Sequence, residues 1–258
     1  MWDLIVILSI VAFLGLWFSF TRSGERGRTV RCANNLRMLG PAMQSYVNDH
    51  NDGLPAAGIN LGNTRLTWDL DSAQYLQPTP TRAISVYDKK QLLLAASQEL
   101  CCPSDLIQRT NGVPRSYAMA ACVMTGMTWP LGSASPTGVG LWWDKFTVAA
   151  MLGDTTLKAA TKKPESLPRF KVSDVPRPAD TLLMTELFTS DNTLGSLSHT
   201  RVWNVNDQEN VFKGDSSAVH GGRFNYLMVD GHVELLTGLQ TGGIGNELAG
   251  IWTIEPGD

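Results

Sequence analysis

From Leu4 to Phe20 the chain runs for 17 residues without a charged side chain, interrupted only by Ser9, Gly15 and Ser19. As a helix this stretch rises about 26 Å, close to the ~30 Å hydrocarbon core of a bilayer. Asp3 and Arg22 stand at its ends, and Trp2 and Trp17 suit interfacial positions. A secretory signal would carry basic residues before the run, whereas the flank here is Met1-Trp2-Asp3. A surface helix would show one polar face, and this one is apolar on nearly every side. The run therefore predicts a single membrane-spanning anchor within residues 1–22.

The charge pattern continues the division. Arg22, Arg26, Arg28, Arg31 and Arg37 face only Glu25, so residues 21–40 carry a net +4 while the whole chain sums to −3. So small an overall charge gives no argument for a nucleic-acid partner. With 43% hydrophobic residues the 258-residue chain is not disordered, and it has ample material for a core. Residues 28–49 read as a second helical stretch, with Val30, Leu36, Leu39, Met43, Tyr46 and Val47 at mainly three- and four-residue steps. Gly24 and Gly27 are expected to loosen its junction with the anchor and Pro41 to kink it. Asn51-Asp52-Gly53 with Pro55 ends it. This amphipathic continuation covers residues 23–53, and a β-rich head occupies 54–258.

Within the head, a helix is expected over 89–98 and a buried strand over 181–187. Residues 125–140 and 190–218 read as long surface loops. Asp230-Gly231 lies between the apolar-rich runs 224–229 and 232–236, the signature of a type I′ hairpin, in which both central residues take positive φ. The four cysteines, Cys32, Cys101, Cys102 and Cys122, show no C-x2-C spacing, which gives a structural zinc site little support. In an oxidising compartment Cys32 can tie the helix to the Cys101-Cys102 loop, with Cys122 taking the other thiol. In a reducing one all four are buried hydrophobes.

Several segments resemble one family. Asp3 to Leu14 is similar to the N-terminal core of type IV pilins and type II secretion pseudopilins. Cys32-Ala33-Asn34-Asn35-Leu36-Arg37-Met38-Leu39-Gly40 resembles a C-x-N-N-L-K-Q-L-G segment, and Tyr46 through Pro55 resembles the Y-x5-G-x-x-P helix exit. Cys102-Pro103-Ser104-Asp105 and Ser116-Tyr117-Ala118-Met119 resemble two further signatures. His220-Gly221-Gly222-Arg223-Phe224-Asn225-Tyr226-Leu227-Met228-Val229-Asp230-Gly231-His232 resembles the H-x9-DG pattern of prepilin-type processing-associated proteins, and Trp252-Thr253 with Gly257-Asp258 resembles their ending.

The resemblance implies an α+β, pilin-like protein. Its long N-terminal helix would span the membrane with the first half and pack on an antiparallel β-sheet head with the second. It also implies a head outside the bacterial cytoplasmic membrane, in the periplasm or at the cell exterior. The positive-inside rule applied to the arginine cluster gives the opposite orientation. A basic leader before the span would reconcile the two. Aligned on the family, Met1 stands two residues after the usual mature start. Asp3 matches the carboxylate that neutralises a neighbouring subunit's amino terminus during assembly. The expected function is structural, a subunit of a type II secretion or type IV pilus-like assembly working with copies of itself or other pilin-like subunits. The alternative is a tethered module that binds glycans or another surface ligand and never polymerises.

Other chemistries have weaker support. His199, His220, Asp230 and His232 are conceivable metal ligands, but Asp230 is expected to build the turn and His220 to hydrogen-bond near it. Asn48, Asp49, Asn51 and Asp52 offer oxygens without EF-hand spacing, leaving calcium the one ion to consider and no cofactor expected. No G-x-S-x-G elbow or comparable nucleophile setting occurs, so no catalytic residue is assigned and an enzyme is not expected. The eight tryptophans, Trp142-Trp143 among them, offer a face for sugar stacking or core packing.

Overall fold

A computed structural model describes residues 2–76, 86–122, 138–203, 207–208, 219–242 and 250–254, with the side chains of 2–23 and 86 outside the description. Helix α1 (Trp2–Asp49) is continuous, without a break at Gly24, Gly27 or Pro41. Pro41 lies on the exposed face, so the carbonyl it deprives of an N–H is turned towards water and the helix continues. On the other face Cys32, Leu36, Leu39, Met43 and Val47 enter the main core, and Tyr46 is buried beside them. The helix ends where the Asp52 N–H bonds the Val47 carbonyl and Asn51 and Asp52 take φ of 53° and 69°.

The head is built on two sheets. Strands β1 (Gly58–Asn60), β2 (Arg65–Thr67), β3 (Tyr117–Ala120), β4 (Trp142–Asp144), β5 (Leu182–Glu186), β6 (Arg201–Val202), β7 (Phe224–Met228) and β8 (Val233–Leu236) form a five-stranded sheet, β6-β3-β5-β7-β8, and a three-stranded one, β2-β1-β4. Pairing is antiparallel except at β3–β6 and β1–β4, so the expected antiparallel head carries a parallel pair in each sheet. It is also less purely β than expected, since it holds α2 (Trp68–Ser72), α3 (Val86–Ala95) and α4 (Lys145–Lys162), the last interrupted at Gly153. The architecture is α+β.

Strand β5, the sheet's centre, is buried at all five residues, as a run with neighbours on both edges and layers on both faces must be. Strand β7 alternates with period two. Phe224, Tyr226 and Met228 join a small cluster with Trp252, while Leu227 faces the main core. Helix α1 crosses β7 and β8. A Cβ on Gly40 would lie 3.3 Å from the Gly231 carbonyl oxygen and 3.5 Å from a Leu227 methyl, so the helix backbone rests against the hairpin.

The hairpin turn differs from the expected type I′. Asp230 is not among the residues with positive φ, while Gly231 has φ 95°. The Gly231 N–H bonds the Met228 carbonyl, and the Met228 N–H bonds that of His232. This is a three-residue loop with the glycine in the left-handed bulge position. The segment 190–218, expected as surface loop, contributes β6 and the buried Asn192, Thr193, Thr200 and Gln208; residues 204–206 and 209–218 lie outside the described residues, as do 125–137 of the other expected loop.

The membrane-spanning first half of the stem is not shown by the structure. Among the described residues no helix is long and apolar enough to cross a membrane. The side chains of Leu4–Phe20, and of Asp3, lie outside them.

The two sheets meet at a bridge between Ala121 and Gly140, where a Cβ on Gly140 would stand 2.6 Å from the Ala120 carbonyl oxygen. Gly140→Ala is therefore expected to cost about 1–3 kcal/mol through backbone displacement, read as a lower urea midpoint. An unchanged midpoint would show that this close approach is not needed.

Candidate functional site

Four of the segments singled out in the sequence, those at Cys32, Cys102, Ser116 and His220, converge on one buried cluster between α1 and the sheet. Cys32 of α1 and Cys102 are joined as a disulfide across 70 residues of sequence, leaving Cys101 and the buried Cys122 as free thiols. The pairing links the stem to the Cys101-Cys102 loop, one of the alternatives open from sequence. Asn35, one turn further along α1, donates its amide to the carbonyls of Gln98 and Cys101. The loop is anchored again by Ser116, whose hydroxyl accepts the Cys102 N–H and donates to Asp105 at 2.7 Å. Asp105 in turn takes both terminal nitrogens of Arg109 at 2.6 Å, a bidentate pair.

His220 closes the cluster. Its Nε2 lies 3.1 Å from Glu186 Oε1 at the end of β5 and 3.5 Å from Cys102 Sγ. Its Nδ1 lies 3.1 Å from Glu25 Oε1 and 2.9 Å from Thr29 Oγ1, both on α1. Both ring nitrogens thus face carboxylates, a geometry that a doubly protonated imidazolium satisfies with both N–H groups. Burial alone would lower the His220 pKa, but hydrogen bonding and charge from Glu186, then Glu25, raise it above the usual histidine value. Glu25 itself would be raised by burial; the His220 backbone N–H, Ser104 and Arg28 outweigh that and hold it below the usual range. Glu186 is fully buried and also accepts the Asn225 N–H at 2.8 Å and its amide at 2.9 Å. The chain reaches this position through three consecutive left-handed residues, His220, Gly221 and Gly222, with φ of 50°, 67° and 78°.

The sequence-derived candidates are distributed as follows. His220 and Asn225 belong to the cluster, while Asp230 and His232 form a separate surface pair at the hairpin, with Asp230 Oδ1 accepting the His232 N–H at 3.0 Å. The expectation that His220 bonds near Asp230 is corrected, because its partners are Glu25, Thr29 and Glu186. His199, His220, Asp230 and His232 are not brought together as one ligand set. A different set is: Cys32, Cys102, Glu186 and His220 place their ligand atoms within 4.8 Å of one another. As a disulfide its sulfurs bind each other, and its imidazole and carboxylate already hold protein hydrogen bonds. Asp49 accepts the Tyr75 hydroxyl, Asp52 the Ser173 N–H and Asn48 the Gln44 amide, so these oxygens of the helix exit serve local contacts. Trp142 and Trp143, being strand neighbours, point to opposite sides. Trp143 is buried and donates to the Pro168 carbonyl, while Trp142 lines a cavity.

Sequence reasoning missed Glu25, Thr29 and Glu186. The signals were an isolated acid inside an arginine-rich collar and an acid at the end of a mostly apolar strand. It also missed Arg115, fully buried and paired with Asp69 at 2.9 Å, with its Nε bonding Asn192 at 2.7 Å.

Comparison with protein-family models, with curated proteins and with solved structures gives no match. The function is therefore argued from the chain itself.

Two outcomes are expected. Alkylation of the unfolded, unreduced chain should label two thiols, Cys101 and Cys122, and reduction should expose all four. Reduction should also cost about 4 kcal/mol of stability for a closed loop of this length; four labelled thiols without reductant would remove the disulfide. The raised His220 pKa gives a signed dependence. Its stabilisation is complete below the unfolded value of about 6.5 and is lost as pH rises through the folded value. The stability difference between wild type and His220→Gln should therefore be largest at acid pH and shrink towards alkaline pH. A flat difference would show that His220 does not hold a proton between the two carboxylates.

Proposed function

We propose that this chain is a membrane-anchored, pilin-like or pseudopilin-like structural subunit of a type II secretion or type IV pilus-like assembly, acting by self-association rather than catalysis. The observation that carries the reading is α1. Its 48 residues make a helix about 72 Å long. Among the described residues, its side-chain contacts with the head begin at Glu25, with Ser104 and His220, and continue through Cys32, Asn35 and Leu36 to Tyr46. The apolar run Leu4–Phe20 lies on the helical turns before that point. A stem of this kind suits two environments, a bilayer before assembly and the packed core of a filament afterwards.

The cluster around His220 serves this role mechanically. It joins helix, loop and sheet by a disulfide, two carboxylate–imidazole contacts and several amide hydrogen bonds. A pull on the stem is thereby transmitted to the head through covalent and charge-assisted links rather than through packing alone. In this reading the head lies outside the cytoplasmic membrane, where the disulfide persists, and Asp3 is the carboxylate presented to a neighbouring subunit.

The test is assembly. Full-length protein produced in a bacterium with a type II secretion system should stay with membranes through an alkaline carbonate wash, and on detergent removal should form filaments visible by electron microscopy. Asp3→Ala should abolish the filaments and leave the head's unfolding midpoint unchanged. Protein released by the wash, or monomeric at every concentration, would overturn the proposal.

A further inference from the structure

Away from the stem, the edge of the five-stranded sheet meets the three-stranded sheet at a cavity of about 480 Å³ lined by Trp142, His199, Thr200, Arg201, Trp203 and Asp207, among others. Its volume is within the range of small-molecule sites. Arg201, on edge strand β6, has its guanidinium carbon 4.4 Å from the Trp142 ring centroid and 4.6 Å from that of Trp203. Contacts with two indoles restrain the guanidinium plane while leaving its N–H edges for ligands.

That cation has no hydrogen bond or ion pair among the described residues. The nearby acids are engaged elsewhere. Asp144 Oδ1 accepts two backbone N–H groups at the start of α4, and Asp207 Oδ2 accepts the Trp203 N–H at 2.8 Å. Burial lowers the Arg201 pKa, opposed in part by the charge of Asp144. The cavity wall also contains a strained backbone, because His199 has φ 55°. A half-buried, oriented guanidinium fork without an ion pair among the described residues, in a concave site, matches a carboxylate, which it can bind in bidentate fashion. The rest of the lining sets the exposed Trp203 indole and the apolar Leu187 and Leu197 beside the Asp207 carboxylate, a mixture that suits a sugar ring, with its apolar face and hydroxyl rim.

We propose that this cavity binds an acidic saccharide, its uronate carboxylate on Arg201 and its ring against Trp203 and beside Asp207. The site does not depend on whether the chain polymerises.

Isothermal titration of the detergent-solubilised full-length protein tests it, with oligogalacturonate as the probe, an uncharged oligosaccharide of equal length as the control and a short oligoglutamate as the competing class. Oligogalacturonate should bind saturably, at least about tenfold more tightly than the uncharged oligosaccharide, and more weakly as salt rises. Arg201→Gln should lose at least about tenfold in affinity, and Arg201→Lys should recover only part of it, because charge without the planar fork is insufficient. Trp203→Ala, which alters a partly exposed side chain, should weaken binding while the unfolding midpoint holds. Absence of oligogalacturonate binding, equal binding of the uncharged sugar, preference for oligoglutamate, or an Arg201→Gln variant that binds like wild type would each overturn the proposal.

Discussion

The contact of His220 with two carboxylates from different parts of the chain is the interaction on which the rest of the arrangement depends. Glu25 belongs to the stem helix and Glu186 to the central strand, and a buried carboxylate such as Glu186 is tolerable only with a full set of donors. His220 supplies one donor to each acid, and Asn225 completes Glu186. The helix is therefore held at a fixed depth and rotation on the sheet, because a slip of one residue would leave a buried charge unpaired. The Cys32–Cys102 disulfide beside the imidazole fixes the same register covalently.

Around that lock the packing has little slack. Gly40 lets the helix rest on the hairpin at Gly231, and Gly140 lets the two sheets join. Neither glycine is needed there for a left-handed backbone; both are close approaches, at Gly140 too close for a Cβ and at Gly40 so tight that a Cβ would have to displace its neighbour slightly. Further from the stem the construction changes. Arg115 is wholly buried and held by Asp69, Asn192 and the carbonyls of Ser196 and Ser198, whereas Arg201 at the sheet edge lies against aromatic rings and has no ion pair among the described residues. Two buried or half-buried arginines in one head thus have different settings among the described residues, one paired with an acid and one packed between indoles.

Much of the fold was legible because it rests on local patterns. The three- and four-residue steps from Leu36 to Val47 gave the packed half of the stem, although Val30, counted on the same face, is exposed; the run 181–187 gave the central strand, and Asp230-Gly231 gave the hairpin. The exact turn was not legible, because a three-residue loop and a two-residue loop share the same Asp-Gly signal and differ in whether Asp230 must take positive φ. The continuity of α1 through Pro41 was also hidden, since it depends on which face of the helix meets water. In the cluster, His220, Asn225 and the cysteines stood out one by one, but their partners did not. Glu25 and Glu186 lie 195 and 34 residues from His220, and no periodicity relates such positions.

The sequence by itself determined that the chain has an apolar run, a basic collar, an amphipathic stem and a head of α+β texture, because these follow from composition and short-range spacing. Only the tertiary structure decided which cysteines pair, which acids His220 joins, and that Arg201 lies between two tryptophans. Those outcomes depend on distances between residues far apart in the chain, and such distances are set when the helix and both sheets pack against one another.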